Sequence, residues 1–255
     1  MKRVKLLSFW WRSLLPLAVI ASVILPSLGG LPMARASSYS CDLNSQTFGH
    51  CYGVNRWDGN VQGAFTYMSV PVLVRPTGGR NTAEMWLSTD SSMVEIGIAN
   101  GFTGFSGYNP NVNYYYWADL RPGSTYSEHP LIAPPAADRN ASLNIYKSTT
   151  AANEFDGSIN SDTYYFGGLR SVANTMSPTH IQIGTEIIGS SGGSTPSTFY
   201  AYNEWQGTTG GAYSYQNNPG TFPFHQTSDF PPTQSWVTVP APGNSGGRLV
   251  VSCAC

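Results

Sequence analysis

The chain has 255 residues and a formal net charge of −1; 41% of it is hydrophobic, 13% aromatic and only 11% charged, with 27 Gly and 18 Pro. That composition excludes a disordered chain and a coiled coil, and the length suffices for one sizeable core. Five of the 13 Lys and Arg (Lys2, Arg3, Lys5, Arg12, Arg35) and none of the 14 acids fall in the first 36 residues, so the remainder carries eight bases against 14 acids, a formal −6 that argues against a nucleic-acid partner.

The basic start runs into an apolar stretch over residues 14–31 and then Ala34-Arg35-Ala36, the pattern of a secretory signal cleaved near Ser37. An uncleaved membrane anchor is the alternative, but Pro16, Pro26 and the Gly29-Gly30 pair interrupt the run. The expected organisation is a signal peptide at 1–36, a short N-terminal segment at 37–56 and one domain at 57–255, in an extracellular monomer without stable membrane association after cleavage. Cys41 and Cys51 near the mature start and Cys253 and Cys255 at the end can all oxidise in an exported protein. Three pairings are open, and a bridge between Cys253 and Cys255 is disfavoured by strain. The four histidines, His50, His129, His180 and His225, are scattered without zinc-site spacing, so no metal and no cofactor are expected.

Short runs of Val, Ile, Tyr, Phe, Trp and Thr recur between Gly, Pro, Asn and Ser clusters, and no window of helical length has an apolar period of three to four. Strands are predicted, in chain order, over 63–73, 83–87, 92–99, 113–119, 142–147, 163–167, 180–188, 197–202 and 249–252. Gly78-Gly79, Pro122-Gly123, Asp156-Gly157 and Pro219-Gly220 read as turns. So many short strands must close or stack, which predicts an all-β, antiparallel two-sheet sandwich of jelly-roll type. Residues 207–247, rich in Gly, Pro and Ser, read as a long loop.

Two strands carry the chemistry. In Met93-Val94-Glu95-Ile96-Gly97-Ile98 a period of two sends Val94, Ile96 and Ile98 to the core and Met93, Glu95 and Gly97 to the other face. In the strand from His180 to Ile188 the residues Ile181, Ile183, Thr185 and Ile187 face one way, and Gln182, Gly184 and Glu186 the other. Gly97 and Gly184, each two residues from an acid or amide, are the small neighbours a substrate backbone would need, and both are candidate substrate-binding positions. Two carboxylates meeting on such a surface would not both ionise easily, which leaves a neutral acid and an ionised base in one cleft. That pair suits hydrolysis in acid: one takes a proton from water, and the other, or the Gln182 amide, donates to the oxygen that becomes negative. In Asn113-Tyr114-Tyr115-Tyr116-Trp117 the alternation separates Tyr114 and Tyr116 from Tyr115 and Trp117, and Tyr116 or Trp117 could wall the groove.

The succession Thr82-Ala83-Glu84-Met85-Trp86, Met93 to Gly97, Tyr114-Tyr115-Tyr116-Trp117, Ser142-Leu143-Asn144-Ile145-Tyr146-Lys147 and Ile181 to Ile187 resembles the order of motifs in neprosin-type glutamic endopeptidases. More distantly, with Trp57 and Val70-Pro71, it resembles the eqolisins. The resemblance covers roughly Trp57 to Tyr202. It implies a β-sandwich peptidase that hydrolyses proteins at acidic pH with two catalytic side chains on neighbouring strands and peptide or protein as partner. Neprosins pair two glutamates and eqolisins a glutamine with a glutamate; Glu95 takes the first position in either case, and Glu186 or Gln182 the second. Trp86 falls in a matched motif and joins the candidate substrate-binding residues. The roughly 20 residues between Ala36 and Trp57 leave little room for the pro-segment of the neprosin type.

Two other classes fit the same features: a jelly-roll glycoside hydrolase using Glu95 and Glu186, and a non-catalytic secreted sandwich that binds carbohydrate or serves adhesion. The run Gly243-Asn244-Ser245-Gly246-Gly247 with His50-Cys51 imitates a serine-peptidase signature, but only eight residues follow Gly247, too few for the strands that fold needs.

Overall fold

A computed structural model describes residues 50–189, 193–215, 224–228 and 248–254. The expected signal peptide, Cys41, the Gly243 to Gly247 run and the cysteine side chains, and with them the disulfide expectations, lie outside the described residues.

In chain order the strands are β1 (His50–Asp58), β2 (Gly63–Ser69), β3 (Arg80–Ser88), β4 (Met93–Ala99), β5 (Tyr114–Leu120), β6 (Ser127–Pro130) and β7 (Asn140–Lys147). They continue as β8 (Phe155–Ser161), β9 (Tyr165–Ser171), β10 (His180–Ile188), β11 (Ser194–Gln206), β12 (Tyr213–Tyr215), β13 (Phe224–Ser228) and β14 (Arg248–Ala254). The described residues contain no helix. The first sheet has the order β13-β1-β10-β3-β4-β5-β6; the second has β12-β11-β2-β7-β8-β9, with β14 paired to β11. All named pairings are antiparallel. The expected two-sheet sandwich is the observed fold.

Alternation builds the core. Ala83, Met85 and Leu87 of β3, Val94, Ile96 and Ile98 of β4, and Ile181 and Ile183 of β10 are buried and meet Ala64 and Met68 of β2, Leu143 and Ile145 of β7, and Phe155 and Ile159 of β8. Burying each of the Val, Leu, Ile, Met and Phe side chains contributes about 1.5–3 kcal/mol, so the core fixes which face of every strand looks outward. Tyr200 of β11 crosses the interior and donates its hydroxyl to the Gly184 carbonyl at 2.5 Å, tying the two sheets together.

Strand β10 has the expected bounds, and β2 ends at Ser69, shortly before Pro71. Strand β1 begins at His50, within the segment assigned from sequence to a region preceding the domain. Strands β12 and β13 lie inside the expected 207–247 loop. Strand β8 passes through Asp156-Gly157, read as a turn from sequence; Gly157 pairs with Ile145 and Leu169 in mid-ladder.

Gly97 and Gly184 let strands approach one another. A Cβ at Gly97 would lie 2.3 Å from the Ala83 carbonyl oxygen and 2.7 Å from Glu84 Cα; at Gly184 it would lie 2.1 Å from the Gly53 carbonyl oxygen and 2.7 Å from Val54 Cα. Neighbouring backbone therefore occupies the space that was expected to admit substrate. Gly97→Ala should lower stability by about 1–3 kcal/mol in urea unfolding, the usual cost of overpacking; an unchanged midpoint would contradict this packing.

Candidate functional site

The outward face of the first sheet is organised in cross-strand rows. Directly paired residues share a face, so Glu95 on β4, Trp86 on β3 and Gln182 on β10 form one row. Gly97, Glu84 and Gly184 form the next, and Ala99, Thr82 and Glu186 the one after. Strand β5 adds Ala118 beside Glu95 and Tyr116 beside Gly97, and β6 adds Glu128 beyond Ala118.

Glu95 and Glu186 thus stand on the same face but not on adjoining strands, since β3 runs between β4 and β10. Strand spacing and rise put their Cα atoms about 16 Å apart along the diagonal, against about 10 Å for Glu95 and Gln182 in the shared row. The implied neighbouring-strand arrangement is corrected accordingly. The Glu186 charge nonetheless reaches Glu95 and helps to raise its carboxyl.

Glu95 is 3% exposed. Its Oε2 accepts the Trp86 indole N–H at 2.7 Å and its Oε1 accepts the Tyr126 hydroxyl. Arg80 Nη2 lies 3.8 Å from Oε1. Burial pushes the Glu95 carboxyl up, Arg80, Tyr126 and Trp86 oppose the rise, Glu186 adds to it, and the result is about 7. Arg80 is held on three sides: Nη1 pairs with Glu128, and the guanidinium stacks over the rings of Phe102 at 5.2 Å and Tyr116 at 4.7 Å. Burial works against its charge, but Tyr126, Glu95, Glu84 and Glu186 outweigh burial and raise its pKa.

Glu84 is the site residue that sequence reasoning quoted in a motif without giving it a role. It is fully buried between Gly97 and Gly184, diagonal to both Glu95 and Glu186. Its Oε1 accepts the Thr82 hydroxyl, whose oxygen in turn accepts the Glu186 backbone N–H at 3.1 Å. Its Oε2 has no hydrogen-bond partner. Burial, then Glu95 and Glu186, drive its carboxyl well above the usual range. The signal was available: Glu84 and Trp86 occupy alternate positions of one strand, so Glu84 must share the indole's face.

The other expected residues divide. Tyr116 is on the site face, fully buried beneath Arg80 with its hydroxyl unpartnered. Trp86, 5% exposed, serves as a hydrogen-bond donor to Glu95 and is not an open wall. Trp117 is on the opposite face: it pairs with Ile96, packs against the core and stacks on His129 at 4.1 Å. The parity that puts Tyr116 beside the site removes Trp117 from it. Gln182 is half-buried, and its Oε1 accepts from Ser88 Oγ at 3.4 Å. Past Gln182 the face ends in His180, whose ring nitrogens meet Asp58 Oδ1 at 2.8 Å and Asp90 Oδ1 at 3.0 Å. Among the described residues no group of three or more His, Cys, Asp or Glu is placed to hold a metal ion.

No protein-family model matches the sequence, and no curated protein matches it. Solved structures do. A scytalido-glutamic peptidase with a transition state analog inhibitor is similar with a TM-score of 0.56 at 11% identity, over 82% of this chain and 99% of that one. A second structure of that peptidase, with a peptide-based transition state analog, gives 0.54 at the same identity and coverage. SCP-B, a member of the eqolisin family of peptidases in complex with the tripeptide Ala-Ile-His, gives 0.52, again at 11% identity and over 82% of this chain and 99% of that one. At such identity the likeness shows a shared fold, that of eqolisin-type glutamic peptidases.

The buried acids make stability depend on pH. Glu84 and Glu95 are both raised above their unfolded value of about 4.3, so their contribution is complete below that pH and is lost as pH rises through the folded values. For Glu95 the loss centres on about 7. Urea midpoints should therefore fall between about pH 5 and pH 8, and Glu95→Gln should flatten the fall; a midpoint rising over that range would refute the assignment of buried, neutral acids.

Proposed function

We propose that the chain is a secreted glutamic endopeptidase acting in acid, in which Glu95, Glu186 and Gln182 handle the protons and charge of peptide hydrolysis. The observation that carries this reading is the convergence of Glu95, Gln182 and Glu186 on one face of a sheet whose fold is that of glutamic peptidases. The finer neprosin-type reading rests on the order of sequence motifs and on the availability of a second glutamate, Glu186.

Below about pH 7 Glu95 carries a proton. A peptide carbonyl lying over Trp86 would sit between the Glu95 O–H and the Gln182 amide, two donors aimed at one oxygen. Water attacks the carbonyl carbon and gives a proton to Glu186, while Glu95 protonates the oxygen that becomes negative. Glu186 then passes its proton to the amide nitrogen, the C–N bond breaks, and the diol returns a proton to Glu95 as the new carboxyl group forms. Atoms and charges balance: one water and one amide give one acid and one amine.

Casein digestion at about pH 4, with pepstatin and a metal chelator present, tests the reading. The wild type should cut, and Glu95→Gln and Glu186→Gln should each lose at least about a hundredfold in kcat. Gln182→Ala should lose about a hundredfold, the scale of one oxyanion donor. Activity should decline as pH rises through about 7, where Glu95 gives up its proton. Full activity in Glu95→Gln would overturn the proposal, and cleavage of β-glucan or xylan without casein would move the assignment to a glycoside hydrolase.

A further inference from the structure

Arg80 is held but not saturated. Glu128 takes Nη1, and Phe102 and Tyr116 lie against the guanidinium, yet neither Nε nor Nη2 has a hydrogen-bond partner. Those two nitrogens form the side edge of the guanidinium, the fork whose parallel N–H bonds match two oxygens on one carbon. Glu95 does not close that edge, because its Oε1 stands 3.8 Å from Nη2, beyond hydrogen-bond reach. A guanidinium held on its other sides with this buried edge unpaired is preorganised for an anion.

Resting on the peptidase reading above, we propose that the Nε and Nη2 edge of Arg80 binds the two oxygens that the scissile carbon carries once water has added, first as the tetrahedral diol and then as the carboxylate of the N-terminal product. The position fits: Nη2 of the fork lies 3.8 Å from the Glu95 carboxyl that would meet the same carbon. The charged groups facing it are Glu84 on β3, Glu95 on β4, Glu186 on β10 and Glu128 on β6. Glu84 and Glu95 are both driven toward their neutral forms, which leaves room for one incoming negative charge in acid. Entry requires the Tyr126 hydroxyl to release Glu95; Tyr126 immediately precedes β6, outside the strand, and is 41% exposed, so it can swing without breaking a ladder. The enzyme is consequently inhibited by its own N-terminal products.

The test is calorimetric binding at about pH 5 of short peptides made with a free C-terminal carboxylate or with a C-terminal amide, together with kcat and KM for Arg80→Lys. The wild type should bind the free acid at least about 30-fold more tightly than the amide, and Arg80→Lys, which keeps the charge and loses the fork, should erase most of that preference. In hydrolysis Arg80→Lys should lose about a hundredfold in kcat with KM changed less than about threefold. Equal binding of acid and amide by the wild type would overturn the proposal even if Arg80→Lys does not fold. A longer substrate amidated at its own C-terminus separates the two sources of a carboxylate: cutting at an unchanged rate means that the bound group is the one made by the cut. Loss of cutting means that the fork reads the substrate's own end, and the proposal fails. Wild-type protein that prefers the free acid but cuts nothing would sink the peptidase reading and leave Arg80 as a carboxylate site.

Discussion

Three glutamates and one guanidinium on a single sheet face set the terms for this molecule. Glu84, Glu95 and Glu186 are all buried, and Arg80 is the cation that faces them, with Glu128 already drawing on its charge. Such a set cannot be fully ionised at modest cost, so protons must reside within it. The buried protons connect fold to chemistry: they let the face be covered by side chains, and they leave Glu95 able to donate where an exposed carboxylate would not.

The backbone supports this through close strand approach. Gly97 brings β4 close against β3 at Glu84 and Gly184 brings β10 close against β1, while Thr82 links the Glu84 carboxyl to the Glu186 backbone. At the rim of the cluster stand Gln182, half-buried, and Tyr126, 41% exposed. Glu84, fully buried, acts on Glu95, Glu186 and Arg80 through its charge.

Much of this was legible in the chain. The period of two in β4 and β10 assigned Val94, Ile96 and Ile98 to the core and Glu95, Gln182 and Glu186 to one face, because apolar burial allows a strand only one register. Two kinds of information were missing. Strand order is non-local: nothing in the sequence says that β3 lies between β4 and β10, so the distance between Glu95 and Glu186 could not be read. Strand β3 does alternate, Thr82, Glu84 and Trp86 against Ala83, Met85 and Leu87, but its pattern does not tell that both faces are covered, and Glu84 therefore looked like part of a motif instead of the centre of a site. Strand β8 was hidden by Asp156-Gly157, a turn-forming pair that sits in mid-ladder because Gly157 faces the interior near Ile96.

The double coverage of β3 has a further meaning for how such a protein can change. Every residue from Asn81 to Ser88 is buried, whereas along the whole of β9 only Ser171 is. Sequence drift and engineering will find little latitude along the central ribbon, where a substitution on one side disturbs packing and on the other disturbs the acids. Freedom to acquire new surface properties is concentrated on the second sheet, whose outward residues, Tyr165 and Tyr202 among them, can be exchanged without reaching the proton-bearing cluster.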